Sequence, residues 1–457
     1  MNRKLPALLA LALGAPALLP AQAPARPTHG KMCLLCHQPA PATLRGNFDA
    51  LAFQNGTMQI KVDDTIEVLR YDRAALKVEG KEKAASAEEA LKAIKKGHEV
   101  RVAYSEAGGV KTATLVSVKP PVEVGSADLM ALDQLEKLVA LGPEKGKYLL
   151  VYCRPAIRFN EGTIPTAINL PFPAFDKNVD KLPADKGALV IYFCSGKTCN
   201  MSPGSMAKAK KLGYTNIKVY VDGMPGWYAK HPGVIAPKAF QETYPAKAMP
   251  AIVLDLRTDT AAGAIPGAVA VAPDKVGALI KEQLPAPKVK APILVVDGEG
   301  GPAAKAAADQ IVKAGYAGVN VLAGGMKAWL AAGLPVQAGA PASRVAFVPK
   351  PKPGSISSAE FQKLAGLAPA EREDVLILDV RTAKECKEGM IKGAVNIPQE
   401  EVAGRFGELP KAKRIVVHCS SGTRAEMTYA LLRDQGFNAT FLNAELTVID
   451  TGEFTID

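Results

Sequence analysis

Three stretches of this chain carry one pattern, and that repeat constrains the fold more than any other feature. Each copy opens on an apolar run ending at an Arg: LLVYCR (Leu149–Arg154), IVLDLR (Ile252–Arg257) and LILDVR (Leu376–Arg381). Six or eight residues later comes a Gly-x-Ile element, at Gly162, Gly263 and Gly389. A second apolar run then enters a Gly-rich loop: VIYFCSGKTC, ILVVDGEGGP and IVVHCSSGTR. The loop's first residue reads Cys194, Asp297 and Cys419, lying 42, 42 and 40 positions after Tyr152, Asp255 and Asp379. Spacing that steady points to tandem copies of one domain, of which the middle copy lacks the thiol. A chain of 457 residues is also too long for one core.

Apolar residues make up 48% of the chain and charged residues 22%, the balance of a folded globular protein. The net charge of +11 is spread along the sequence, with no basic block or aromatic stripe, so nucleic acid is not an expected partner. Residues 1–23 read as a secretory signal. Arg3 and Lys4 precede the apolar Leu5–Leu19, and Ala21-Gln22-Ala23 offers small residues for cleavage. No later stretch has the length and apolarity to span a membrane, so the expectation is a periplasmic or otherwise exported protein. Seven Cys is an odd number, which argues against a pure disulfide framework.

Residues 24–45 hold Cys33-Leu-Leu-Cys36-His37 in a Pro- and Ala-rich setting. Residues 46–122 show alternating, β-branched runs interrupted by the helical pattern SAEEALKAIKKG, with Ser86 as cap and Gly97 as stop. The repeats occupy 125–237, 240–338 and 355–457, joined by Pro-rich linkers. Within each, strands alternate with helices. That predicts an α/β fold of three parallel sheets flanked by helices, behind a small β-rich domain and a signal peptide. Each loop then falls between a strand's carboxyl end and a helix start, where open α/β sheets bind ligands.

A Cys at such a turn faces backbone amides and a helix N-terminus, which favour a thiolate or a bound anion. The third loop is complete: Cys419, Ser420, Ser421, Gly422, Thr423 and Arg424, where Gly422 permits the turn and Arg424 offers a fork of donors. The Asp-x-Arg strand end, the Gly-x-Ile turn, the six-residue loop and the Gly-Met-x-x-Trp element (Gly223–Trp227 and Gly325–Trp329) resemble the rhodanese family of sulfurtransferases. The resemblance covers about three quarters of the chain. It implies that Cys419 carries sulfane sulfur from thiosulfate or a persulfide to a thiophilic acceptor. Arg424 and the backbone of Ser420–Thr423 would then bind anionic sulfur compounds, as in a thiosulfate sulfurtransferase.

The first loop departs from that pattern, because Cys199 stands where Arg is expected and only Lys197 supplies charge. Cys199 is a candidate partner that resolves an oxidised or persulfidated Cys194. The second loop, with Asp297 and Pro302, cannot carry sulfur and is expected to be inactive. The third copy reads NAELTVID where Gly-Met-x-x-Trp would stand. Cys33-x-x-Cys36-His37 resembles a c-type haem attachment site: two thiols for the vinyl groups and His37 for the iron. A dithiol or a zinc pair are the competing chemistries there. Met58, His98 and His29 are candidate sixth ligands. A thiol-redox or electron-transfer protein with a periplasmic partner, or a non-catalytic binding module, therefore stands beside the sulfurtransferase.

Overall fold

The computed structural model describes residues 27–30, 34, 38–63, 65–80, 84–119 and 123–456. The signal-like segment and Cys33, Cys36 and His37 lie outside the described residues.

The first unit is a small barrel of β1 (Thr43–Ala52), β2 (Thr57–Val62), β3 (Thr65–Tyr71), β4 (Lys77–Glu79), β5 (Glu99–Ala107) and β6 (Val110–Val118). Its order is β3-β2-β1-β5-β6-β4, and β3 pairs in parallel with β6, which closes five strands on themselves. Closure removes the open edges that an isolated sheet presents. Leu44, Met58, Ile60, Val62, Leu69, Val102 and Val116 are wholly buried within it. The barrel takes Thr43–Arg45, which the sequence reading leaves in the preceding segment, because β1 pairs with β5 from Thr43 onward. Helix α1 (Ala87–Lys92) is capped by Ser86 and stops before the expected Gly97. Gly97 N–H donates to Phe48 O and Phe48 N–H to His98 O, so the chain is drawn off the helix onto β1.

The first repeat contains α2 (Leu132–Gly146), β7 (Tyr148–Tyr152), α3 (Ala156–Phe159), β8 (Ile168–Asn169), β9 (Leu189–Phe193), α4 (Met201–Lys211), β10 (Ile217–Tyr220) and α5 (Gly223–Tyr228). Its sheet runs β10-β9-β7-β8, all parallel. The second holds β11 (Gly233–Ile235), α6 (Pro237–Thr243), β12 (Ile252–Asp255), β13 (Val269–Ala270), α7 (Val276–Glu282), β14 (Ile293–Val296), α8 (Pro302–Lys313), β15 (Val319–Leu322) and α9 (Gly325–Ala331). Its parallel order is β11-β15-β14-β12-β13. The sequence reading places Gly233–Ile235 at the end of the first repeat, but β11 pairs with β15 and so belongs to the second sheet.

The third repeat contains β16 (Ser355–Ile356), α10 (Ser358–Gly366), β17 (Val375–Asp379), α11 (Ala383–Lys387), β18 (Val395–Asn396), β19 (Arg414–His418), α12 (Thr423–Asp434) and β20 (Ala439–Leu442). The order β16-β20-β19-β17-β18 matches that of the second repeat. An antiparallel hairpin of β21 (Leu446–Val448) and β22 (Phe454–Ile456) follows β20, where the other repeats place α5 and α9. The central strands read as continuous apolar runs because helices cover both faces of each sheet. Among the described residues no helix is long and apolar enough to cross a membrane.

The units touch through specific polar contacts. Tyr228 donates to Asn320 Oδ1 at 2.8 Å between the first and second repeats. Thr57 Oγ1 donates to Gln399 Oε1 at 2.6 Å between the barrel and the third repeat.

Candidate active sites on the three loops

In all three repeats the loop leaves the central strand and turns into the next helix, as β9 to α4, β14 to α8 and β19 to α12. The Gly-Met-x-x-Trp element has a physical reason at this point. Gly223 has φ +56° and a Cβ there would lie 2.2 Å from Cys194 O; Gly325 has φ +57° and its Cβ would lie 2.6 Å from Asp297 O. Only glycine lets the following helix press against the loop backbone. Met224 and Met326 then donate their N–H groups to Cys194 O and Asp297 O at 3.0 and 2.9 Å. In the third repeat Leu446 N–H bonds Ser420 O at 2.9 Å instead, so the hairpin braces the loop one residue later.

Cys419 is buried at the end of β19, and Arg424 lies in the first turn of α12, beside the Cys419 sulfur. The Arg424 fork is engaged within the protein. It donates to both oxygens of Glu385 at 2.7 Å, and one of its nitrogens also reaches Ser420 Oγ at 3.1 Å. The sequence reading gives Arg424 as a fork of donors for an anionic group, and in this structure the anion it holds is Glu385. Glu385 is held in place because it closes a capping box with Thr382 at the start of α11. The hydrogen bonds from Arg424, ahead of the opposing effect of burial, hold the Glu385 carboxyl far below its ordinary range. Burial pulls the Arg424 guanidinium down, and the Glu385 bonds and the Cys419 sulfur outweigh it, leaving it raised. Arg424 therefore stands as a permanent countercharge to Cys419. Sequence reasoning missed Glu385, although Thr382-x-x-Glu385 is a legible capping signal.

Behind the loop, Arg381 grips Asp379 through Nε at 3.0 Å and a terminal nitrogen at 2.6 Å, and also bonds Gly389 O at 2.7 Å. Arg257 repeats this on Asp255 and Gly263 O. His418, just before Cys419, is wholly buried, with the Phe361 ring edge-on at 5.6 Å and Asp379 at 3.7 Å. Burial pushes its pKa down to about 4, against the opposing pull of Asp379. A His kept neutral in the fold but protonated when unfolded makes stability fall as pH falls. The contribution is whole above about 6.5 and lost below about 4. The third repeat is therefore expected to lose roughly 3 kcal/mol across that window. Unfolding followed at pH 7 and pH 4.5, with His418→Phe as comparison, checks this; equal pH slopes in the two proteins would refute it.

The second loop is plugged by its own side chain. The Asp297 carboxylate accepts from the N–H groups of Glu299, Gly301 and Ala304 at 3.0–3.1 Å, and from Gly300 as well. An internal anion thus fills the cradle of loop amides in this repeat.

The first loop holds a disulfide between Cys194 and Cys199, with Cα atoms 6.4 Å apart. Cys194 is buried, its sulfur 3.1 Å from Ser202 Oγ, while Cys199 is half-buried. Lys197 points outward and pairs with Asp222 at 3.2 Å, so it is not positioned over the sulfur. Tyr152 replaces the strand-end Asp, and Arg154, without that partner, lines a cleft in front of the loop. Cys153 is wholly buried, which raises its pKa to about 12 and makes it an inert core thiol. Of the candidate sixth ligands, Met58 is buried in the barrel core, His29 is buried against Thr28, and His98 lines the cleft.

The chain is similar to known proteins. The rhodanese-like domain model matches residues 132–230, 238–332 and 364–447, more than half of the chain. The chain belongs to the rhodanese-like family. Within it, a sulfurtransferase of Allochromatium vinosum is 40% identical over 68 residues, 15% of this chain and 64% of the relative. A putative sulfur carrier protein, YrkF, of Bacillus subtilis is 42% identical over 65 residues, 14% and 35% of the two chains. The matches thus span less than two thirds of these relatives. A solved thiosulfate sulfurtransferase of Pseudomonas aeruginosa shares 20% identity, with 69% and 66% of the chains covered and a TM-score of 0.21. Three rhodanese-like domains in tandem are therefore established for this chain, one with a complete thiol loop, one with a paired thiol and one without.

Proposed function

We propose that this protein is an exported sulfurtransferase that carries sulfane sulfur on Cys419. The observation that carries this reading is a buried thiol at a strand end whose neighbouring cation, Arg424, is fixed by Glu385. In this reading the Cys419 thiolate attacks the sulfane sulfur of thiosulfate, the S–S bond breaks and sulfite leaves with the electron pair. The persulfide then passes its outer sulfur to a thiophilic acceptor and regenerates the thiolate. Arg424 offsets the negative charge in both states, and the amides of Ser420–Thr423 face the leaving sulfite. The test is sulfite release and sulfur transfer by the mature protein; absence of both would end the proposal.

A second reading, favoured by the Cys194–Cys199 disulfide, is that the first repeat is a thiol-redox site. We further propose a c-type haem on Cys33 and Cys36 with His37 on the iron, a group that would supply one-electron chemistry. The chain before the motif is strapped to the barrel: Arg45 N–H bonds Thr28 O, Gly30 N–H bonds Arg45 O, and Gly30 lines the cleft. Protein matured in a haem-c-competent host is expected to show a Soret band and a denatured mass increased by one haem. Unmodified Cys33 and Cys36 thiols would reject it.

A further inference from the structure

Between the barrel and the first repeat lies a cleft of about 1120 Å³. One wall is the barrel, with Lys61, Lys95 and Lys119; the other is the disulfide loop, with Cys199 at its surface, and Arg154 beside it. Seven Lys and Arg line it against three Asp and Glu, so its field is positive. Some of that charge is neutralised within the protein, as in Lys119–Glu99 and Lys197–Asp222. Among the described residues Lys61, Lys95 and Arg154 have no carboxylate partner within ion-pair distance.

Arg154 is the telling residue. In the other repeats the same Arg is consumed by the strand-end Asp and a glycine carbonyl. In the first repeat Tyr152 has replaced that Asp; the guanidinium hydrogen-bonds the uncharged Tyr152 side chain instead, keeps its charge uncompensated there, and lines the cleft that Cys199 also lines. A redox site for a small neutral thiol has no need of a cationic chamber this large.

We infer that the cleft is the docking site of an anionic low-molecular-weight thiol, carrying carboxylate groups, that exchanges with the Cys194–Cys199 disulfide. This rests on the redox reading of the first repeat and names its substrate class. The thiolate attacks the accessible Cys199 sulfur, forming a mixed disulfide and expelling buried Cys194 as a thiolate. A second thiol attacks the mixed disulfide, leaving Cys199 as a thiolate and the substrate as its own disulfide. Two electrons pass from two thiols to the protein disulfide, and the Ser202 hydroxyl, 3.1 Å from the Cys194 sulfur, faces the emerging charge.

The test is the rate of disulfide reduction in the full mature chain by mercaptosuccinate and by neutral 2-mercaptoethanol, at low and high salt. Lys95→Glu/Arg154→Glu is expected to lower the mercaptosuccinate-to-mercaptoethanol rate ratio about tenfold at low ionic strength, and less in high salt. Lys95→Arg should keep the wild-type ratio. Lys281→Glu/Lys288→Glu, an equal charge change on the exposed second repeat, should keep it too. A ratio unmoved by the cleft variant, or moved equally by the remote one, overturns the inference. Counting free thiols before reductant is added separates this from failure of the redox reading, which would show Cys194 and Cys199 already reduced.

Discussion

Replacing Cys419 with alanine is expected to lower thiosulfate-dependent sulfur transfer by more than about 100-fold, because the nucleophile that stores the sulfur is gone. The fold should survive, since the side chain is small and the loop is held by backbone bonds at both ends. Val380 N–H bonds His418 O at 3.0 Å and Leu446 N–H bonds Ser420 O at 2.9 Å, and neither involves the thiol. Cys194→Ala should leave most turnover intact, because Cys194 is tied to Cys199 and its loop lacks the Arg that faces Cys419. Intact-protein mass before and after thiosulfate supplies an independent readout, a gain of one sulfur atom that Cys419→Ala abolishes. Turnover surviving in Cys419→Ala but lost in Cys194→Ala would move the transferase to the first repeat. Turnover surviving in both would remove it from the loops altogether.

The repeat, its loops and the thiol-less middle copy were legible because local pattern encodes them: apolar runs, a fixed spacing and a missing thiol. Long-range pairing was not. Nothing near β3 or β6 in sequence says that they meet and close the barrel, and nothing at Gly233–Ile235 says that this strand joins the next repeat's sheet. The hairpin after β20 was foreshadowed only as a lost Gly-Met-x-x-Trp element, because a missing motif does not say what replaces it. At the sites, sequence identified the residues but not their partners. Arg424 has the spacing of an anion fork, yet Glu385, 39 positions earlier in the chain, occupies it. Asp297 reads as a lost nucleophile; only its four amide donors show that it also fills the cradle. The placement of Arg154 follows the same rule, since losing its Asp partner matters only once the barrel stands opposite.

Asp379→Ala is expected to destabilise the third repeat by about 3–5 kcal/mol, the usual cost of removing one partner of a buried ion pair. Asp379 is fully buried and Arg381 nearly so, so the variant leaves the guanidinium bonded to Gly389 O without its paired carboxylate. Burial opposes ionisation of Asp379, but the Arg381 bonds prevail and hold its pKa below the ordinary value. Removing both charges should cost less than removing one, so Asp379→Ala/Arg381→Met is expected to recover part of the loss. Amide hydrogen exchange on β17 and β19 is the measurement, because it reads this repeat alone in a chain of several domains. Protection in the single variant should fall by about 100-fold or more, at a factor of ten per 1.4 kcal/mol. A fall under about fivefold, or a double variant worse than the single, would show that the pair does not hold the strand end. The pair sits one strand away from the Cys419 loop: β17 runs beside β19, with Asp379 opposite His418 and Cys419 next in the chain. If Asp379 holds that register, Asp379→Ala should also slow sulfur transfer at temperatures where the repeat is still folded, linking the stability of the strand end to the position of the thiol.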